Sequence, residues 1–456
     1  MLTHIPPEIL KLYKKFKDSG FEVYLVGGCV RNLLLEKKVK DWDITTNATP
    51  EQMLKMFKDG FYDNRFGTVG LPIEIKNEKH IVESTTFRRE KGYSDKRHPE
   101  VIEWGKSIEE DLARRDFTIN AIALRLTTNG QRLTTNIIDP HAGEKDLESK
   151  IIRAVGDPGK RFKEDALRLL RGVRIAAEYG FAIEENTWKE IQNDASLITN
   201  ISGERIHAEL MRILSTKNPY DGIMLLKDSG LLQHILPELL TGIGVSQSRP
   251  GRHHTEDVFT HNVLSLKFCP SEDPIVRFAT LIHDIGKPKV QGKDEEGLVI
   301  FHNHEIVGAR MSEKICDRLK FSKKGKEKIY KLIRWHMFTV DEKITDAAVR
   351  RFIRRIGVEN VKDMMDLRIG DRLGGGTQTA ESWRLKLFKK RVEDQLKPKP
   401  FSISDMAVDG NDVMKELNLK PGPKIGEILQ KLFEEVDEDL SKNKREHLIK
   451  RVKELE

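Results

Sequence analysis

A chain of 456 residues is too long for one ordinary hydrophobic core and is expected to fold as three or four domains. With 38% hydrophobic and 33% charged residues it is excluded from the disordered, collagen-like and membrane-embedded classes. Its 79 Lys and Arg against 72 Asp and Glu leave a net charge of only +7. The basic residues cluster, however: Arg88, Arg89, Lys91, Lys96 and Arg97 in one segment, and Arg161, Arg168, Arg171 and Arg174 in another. No run approaches the roughly 18 apolar residues of a membrane span, and the N-terminal segment MLTHIPPEILKLYKKFKDSG reads as an amphipathic helix without the core of a signal peptide. A cytoplasmic protein with no membrane partner is expected. Cys29, Cys269 and Cys316 are far apart and show no CxxC spacing, which excludes a disulfide framework and a thiolate zinc site.

Along the chain, the β-rich runs FEVYLVGG, HIVESTTF and FTINAIAL alternate with helical and loop segments over the first 150 residues. From about residue 160 the apolar period becomes three to four, in EDALRLLRGVRIAAEYG, GERIHAELMRILS and NPYDGIMLLKDSGLL. TGIGVSQSRPGR (residues 241 to 252) and LGGGTQT (373 to 379) read as boundaries, and the segment between them is dense in His. The expectation is an α+β chain: a mixed head over 1–150, a helical part over 151–250, a His-rich helical part over 251–380 and a charged helical tail over 381–456.

The first group of chemical interest is strand-like VYLVGG running into Gly27, Gly28 and Arg31. Adjacent glycines at a strand-to-helix turn let backbone amides approach a phosphate, and Arg31 adds charge. In KDWDIT, Asp41 and Asp43 are two apart on an expected strand, so both carboxylates face one side. Such a pair is costly unless it is exposed or shares a cation, and hard oxygen ligands suit Mg²⁺ carried with a nucleoside triphosphate. A lone DxD would be read as a solvated edge strand; the GG…R turn before it reverses that weighting. Glu83, in IVESTTF, is a third carboxylate if its strand lies beside the first. Asp165 and Arg168 stand three apart on an expected helix, where an acceptor beside a bidentate donor can imitate a Watson–Crick edge.

In order, GGCVRN, KDWDITTNATPEQ, VESTTFRRE, EDLARRDFTINAIAL, IDPHAGEKDL, EDALRLLRGVR and SGERIHAELMRIL resemble the motifs of the bacterial-type (class II) tRNA nucleotidyltransferases, the CCA-adding enzymes that share a head with bacterial poly(A) polymerases. The resemblance implies a polymerase-β-like head followed by neck, body and tail helices. It implies that Asp41 and Asp43 hold two Mg²⁺, beside which Glu83, on the strand reading above, is a candidate third catalytic carboxylate. It also implies that Gly27, Gly28 and Arg31 cradle the triphosphate, that Arg114, Arg115, Asp116 and Asn120 contact ribose and phosphates, and that Asp165 and Arg168 select the base, with Arg171 and Arg174 beside them. CTP, ATP and the tRNA 3′ end, held through the acceptor-TΨC arm, are the implied partners. The basic segment 88–99 corresponds to a family loop that is shortened in enzymes adding only CC. Asn32 stands where relatives carry Asp.

The second group is His261, His283, Asp284, His304, His336 and Asp371. Mixed imidazole and carboxylate ligands suit a divalent metal that activates water. A lone buried His is usually a hydrogen-bonded core residue, but the ordered set HxxxL…HDIGK…HxxxGA…H…D is similar to HD-superfamily phosphohydrolases. That similarity implies His261, His283, Asp284 and Asp371 as the minimal ligand set, His304 and His336 as ligands of a second ion, and Lys287 near a substrate phosphate. His253, His254 and His302 read as flanking residues. The leading expectation is a CCA-adding nucleotidyltransferase with an appended phosphohydrolase. The runner-up is an A-adding enzyme or poly(A) polymerase of the same family, and the alternative from another class is a phosphohydrolase that uses the head only to reach RNA.

Overall fold

A computed structural model describes residues 5–62, 68–91, 101–105, 107–129, 132–247, 257–338, 340–396 and 402–455. The chain divides into two compact units, Met1–Pro237 and Glu238–Glu456.

In the first unit, apolar and β-branched runs build a mixed seven-stranded sheet in the order β3-β4-β5-β2-β1-β8-β9. The strands are β1 (Val23–Val26), β2 (Asp43–Thr46), β3 (Phe61–Tyr62), β4 (Thr68–Ile75), β5 (Glu78–Thr86), β8 (Ala123–Asn129) and β9 (Arg132–Ile138), while β6 (Arg88–Lys91) and β7 (Val101–Trp104) form a separate hairpin. All four residues of β1 are buried, and Tyr24 and Val26 pack against Phe87, Leu112, Ala123 and Val155. This core fixes the central strands from which the functional side chains project. β2 and β5 pair in parallel, with Asp43 opposite Glu83. Helices α1 (Pro7–Asp18), α2 (Gly28–Leu34), α3 (Pro50–Met56) and α4 (Ile108–Ala113) accompany the sheet. They are followed by α5 (Gly143–Glu148), α6 (Pro158–Glu164), α7 (Leu167–Tyr179), α8 (Glu185–Asn193), α9 (Gly203–Leu214) and α10 (Pro219–Asp228).

Three expectations change. FTINAIAL is a strand only at its end: Thr118–Asn120 is a 3₁₀ turn, because the Asp116 carboxylate accepts from Phe117 N (2.8 Å) and Asn120 Nδ2 (3.0 Å) and curls the chain around itself. Strand β2 begins at Asp43, so Asp41 lies in the bend before it. The helix expected through EDALRLLRGVR is broken at Asp165, between α6 and α7. There the side chain of Asp165 accepts from Leu167 N at 3.1 Å, a local bond that competes with helix continuation.

Among its described residues the second unit is helical apart from a two-residue ladder, Gly292–Lys293 with Val299–Ile300, and an isolated bridge between Ser246 and Asp257. Helices Val258–Phe268 and Val361–Gly374 pack so closely that a Cβ at Gly370 would stand 2.5 Å from Ser265 O. Only glycine permits that approach, which carries Asp371 towards His261. Further along, the charged tail has its own core of Val413, Leu432, Phe433, Val436, Leu448 and Val452, anchored by a buried ion pair from Arg350 to Asp437 at 2.8 Å. Gly422 caps helix Pro423–Glu438 at its N-terminus. Among the described residues no helix is long and apolar enough to cross a membrane, and all three cysteines are buried and free.

Candidate active site

Gly27, between β1 and α2, has φ +73°, and a Cβ there would lie 2.9 Å from Arg115 Nη1 and 3.2 Å from Asp43 Oδ2. A glycine is therefore required both by conformation and by the closeness of an aspartate and an arginine. Burial pushes the Asp43 carboxyl above its ordinary range; Arg115 opposes this and Asp41 adds to it. A carboxylate in that condition gains from a cation. Glu83 lies beside Asp43 across the parallel strand pair and, opposite it in register, shares its face of the sheet.

Arg31 is buried and oriented by Asn120, Tyr179 and Asn32, whose Oδ1 accepts from Nη2 at 3.3 Å. Nη1 donates to Asn120 Oδ1 at 2.5 Å, Nη2 donates to Tyr179 Oη at 2.7 Å, and the guanidinium lies 4.5 Å from the Tyr179 ring centre. Tyr179 in turn donates to Asn32 Oδ1 at 2.7 Å, which gives Asn32 an acceptor's task. Asp116 is the hub of the next layer, receiving Asn120, Phe117 N and Arg171 Nε (2.8 Å). Burial alone would raise its pKa, but Arg171, Asn120 and Arg168 hold it well below the usual carboxylate range. Arg114 and Arg115 share the buried Asp111, at 2.6 and 3.2 Å. The i−3 and i−4 spacing of that aspartate is visible in EDLARRD, and it escaped the reading of the sequence.

Two cavities flank Asp43, Arg115, Asp116 and Arg171, all of which line both. One, of about 520 Å³, takes in Gly27, Gly28, Arg31, Asp41, Asn120 and Arg174, with Lys37, Lys38 and Lys40 also in its wall. The other, of about 410 Å³, takes in Glu83, Arg114, Asp165 and Arg168. The arrangement brings every expected residue of the head to one cleft. It does not pair Asp165 with Arg168: Arg205, from α9, grips Asp165 through both carboxylate oxygens (3.2 and 2.8 Å), and Arg168 donates to Glu164 at 2.6 Å. Arg174 is tied to Glu209 (2.6 Å) and Glu178 (2.7 Å). The clamp by Arg205 is a feature the sequence displayed, within SGERI, without revealing its purpose. Of the basic segment 88–99, residues 92–99 lie outside the described residues, as do His253 and His254.

Among the described residues, the groups of three ligand atoms within 4.8 Å of one another are His261, His283 and Asp371, and His283, Asp284 and His336, both in the second unit. The head carboxylates are not among these groups. In the histidine cluster, Asp284 Oδ2 lies 3.3 Å from His261 Nε2 and 3.4 Å from His283 Nε2, while Oδ1 lies 3.2 Å from His304 Nε2 and 3.6 Å from His336 Nε2. Asp371 Oδ1 is 3.3 Å from His261. Three rings donate Nδ1–H to backbone carbonyls: His283 to Thr280 (2.8 Å), His304 to Phe301 (2.8 Å) and His336 to Ile333 (2.7 Å). That fixes the tautomer with the Nε2 lone pair turned inward, as metal ligands require. Burial favours neutral rings, but hydrogen bonds to Asp284 and Asp371 push His261 up to about 9. The cluster thus holds positive charge where two carboxylates converge, and the donor set fits divalent metal. Lys287 bonds Asp284 Oδ2 at 2.5 Å, so its ammonium sits at the cluster's edge.

Comparison with known proteins matches residues 23–153 to the Poly A polymerase head domain, 180–242 to the family described as "Probable RNA and SrmB- binding site of polymerase A", and 297–452 to tRNA nucleotidyltransferase domain 2. The chain is 35% identical to the A-adding tRNA nucleotidyltransferase of Deinococcus radiodurans, over 72% of this chain and 75% of that protein. It is 30% identical to the CCA-adding enzyme of Pediococcus pentosaceus, over 97% and 96%. The match to the CCA-adding enzyme of Limosilactobacillus reuteri, at 40% identity, spans about half of that relative's length (52%). The solved structure of the Bacillus stearothermophilus CCA-adding enzyme in complex with CTP covers 99% of this chain and 98% of its own, with a TM-score of 0.72 at 25% identity.

Proposed function

The chain belongs to the family of tRNA nucleotidyltransferases and poly(A) polymerase-type enzymes, and from that premise we propose that it is a template-independent CTP(ATP):tRNA nucleotidyltransferase that builds the 3′-terminal CCA of tRNA and releases pyrophosphate. The observation that carries the reading is Asp43 in register with Glu83 at the junction of two cavities, one walled by Gly27, Gly28 and Arg31 and the other by Asp165 and Arg168.

Asp41 and Asp43 would hold two Mg²⁺, which when bound supply the charge that activates the tRNA 3′-hydroxyl and neutralises the triphosphate. The bare backbone at Gly27 admits phosphate oxygens beside Arg31, whose place is set by Asn120 and Tyr179. Arg115 and Arg171 line both cavities and would bridge the α-phosphate and the leaving group. Asp165, held in its clamp, has Oδ1 engaged by both Arg205 and Leu167 N and keeps a second lone pair on Oδ2 to accept the amino group of cytosine or adenine. Uracil and guanine present a carbonyl at that point and are refused. Arg168 supplies donors on release from Glu164.

The test offers purified enzyme three tRNA transcripts, ending before CCA, after C and after CC, with CTP, ATP or both, and sequences the products. Growth that stops at CCA supports the reading. Addition of A alone to the CC-ended transcript would replace it with an A-adding specialist, a second reading favoured by the 35% identity to the D. radiodurans protein; long A tracts would mean a poly(A) polymerase.

The second unit supports a metal-dependent phosphohydrolase of the HD kind. His261, His283, Asp284 and Asp371 would hold one divalent ion and Asp284, His304 and His336 another, with Asp284 shared. Bound metal would supply an activated water, and Lys287 would steady a phosphate beside Asp284. Metal-dependent release of phosphate from glycerol 2-phosphate, lost in His283→Ala with Asp284→Ala, tests it.

A further inference from the structure

A cavity of about 450 Å³ in the second unit is lined by Trp335, Phe338, Phe352 and Phe388 together with Arg334, Arg351 and Arg355. The three phenylalanines pack on one another with ring centres 4.7 to 5.2 Å apart and close the inner side. Trp335 is half-buried, and the guanidinium groups of Arg334 and Arg355 lie 4.1 and 4.7 Å from its ring. Arg351 and Arg355 are exposed, and no ion pair among the described residues involves either. Arg334 is paired with Glu305 at 3.6 Å, and an aromatic wall beside the guanidinium groups of Arg351 and Arg355 is suited to a flat heterocycle carrying phosphate, since bases stack on rings and on arginine planes alike.

The cavity is also coupled to the histidine cluster from two sides. Trp335 directly precedes His336, and Glu305, another lining residue, directly follows His304, with Oε2 3.8 Å from His304 Nδ1. Phe338 lies under Arg368 (5.6 Å), which donates to Asp371 at 2.9 Å. A base seated between Trp335 and the rim arginines would direct its own phosphate towards the cluster, and Glu305 could accept from an exocyclic amino group.

We propose that this aromatic–arginine cavity binds the nucleoside of a nucleotide whose phosphate the histidine–aspartate cluster addresses, either a free nucleoside 3′-monophosphate or the 3′-phosphorylated terminal residue of an RNA. The proposal rests on the phosphohydrolase reading of the cluster for its catalytic consequence, but not for binding.

Equilibrium dialysis of the full chain with labelled adenosine 3′-monophosphate, in buffer with chelator, isolates binding from hydrolysis. Trp335→Ala is expected to weaken binding about tenfold, equal to about 1.4 kcal/mol, with Trp335→Phe recovering most of it. Arg351→Ala with Arg355→Ala, both exposed positions that leave the fold alone, are expected to weaken it similarly. A short oligoribonucleotide ending in the same 3′-phosphate, bound more tightly than the mononucleotide, would identify an RNA end as the natural ligand; equal binding would identify the free nucleotide. Unchanged affinity in both the Trp335 and the arginine variants overturns the proposal. Hydrolysis of glycerol 2-phosphate, which has no base, by wild type reads the cluster apart from the cavity. Failure of wild type to hydrolyse it would count against the phosphohydrolase and leave the dialysis result standing.

Discussion

Asp43 carries the conflict between stability and chemistry in the head. Its folded pKa lies above the ordinary carboxylate value because burial disfavours the charge. For such a group the folded state binds more protons than the unfolded one between the two pKa values. The penalty is therefore absent below the unfolded value of roughly 4, grows as pH rises from the unfolded to the folded pKa, and is fully present above the folded one. Asp43→Asn should thus match or exceed wild type in thermal midpoint at pH 7 while losing nucleotide addition by roughly 10³-fold or more. Mg²⁺ with CTP should raise the wild-type midpoint and leave that of the variant unmoved. Scanning fluorimetry with and without Mg²⁺ and CTP checks this, and a variant markedly less stable than wild type would refute the assignment of strain. Asp116 has the opposite sign. Its pKa is depressed, so its contribution is present above the unfolded value and lost as pH falls towards the folded one. Asp116→Ala should cost about 1–3 kcal/mol by leaving Arg171 without its carboxylate, measured by urea unfolding at pH 7, and the deficit should shrink in acid.

The break between α6 and α7 decides how the proposed base-selecting pair is presented. A continuous helix would put Asp165 and Arg168 on one face; instead Asp165 stands in the gap, fastened from α9 by Arg205. Arg205→Ala should therefore leave the fold largely intact, since both partners are partly exposed, while raising misincorporation of UTP or GTP about tenfold or more relative to CTP and ATP. Arg205→Lys, which cannot grip both oxygens at once, should recover only part of the discrimination. Equal selectivity in Arg205→Ala and wild type would mean that Asp165 is placed by Leu167 N alone. Here the limit of the sequence is physical. Period and motif order located the strands that carry Asp43 and Glu83 and the helix that carries Arg171, because those depend on local burial patterns. The break at Asp165 depends on a side chain forty residues downstream and on a single Asx bond, and the turn at Thr118–Asn120 depends on Asp116 folding back on its own backbone. Neither leaves a periodic trace. Tyr179, which orders Arg31 from the far end of α7, was hidden for the same reason.

At the scale of the whole molecule, the two candidate sites use different ligand chemistry in separate compact units. The head offers hard carboxylate oxygens alone, whereas the second unit offers four imidazoles and two carboxylates with the Nε2 atoms converging. Hard oxygens favour Mg²⁺; imidazole-rich sites favour later divalent metals such as Mn²⁺, Co²⁺ or Ni²⁺. Asp41→Ala should abolish nucleotide addition and spare phosphate release, and His283→Ala with Asp284→Ala should do the reverse. The metals should separate the activities as cleanly as the variants. After chelation, Mg²⁺ alone is expected to restore addition of CTP and ATP, and phosphate release to need a transition metal. Binding of that metal should expel protons near pH 7, because hydrogen bonds to Asp284 and Asp371 favour the protonated His261 ring and a ring must give up its Nε2 proton before it can ligate. Proton release is measured directly by calorimetry in buffers of different ionisation enthalpy, and it should vanish in the His283→Ala, Asp284→Ala chain. Loss of both activities in either variant, or restoration of both by one ion at one affinity, would mean that the two units do not work as independent catalysts.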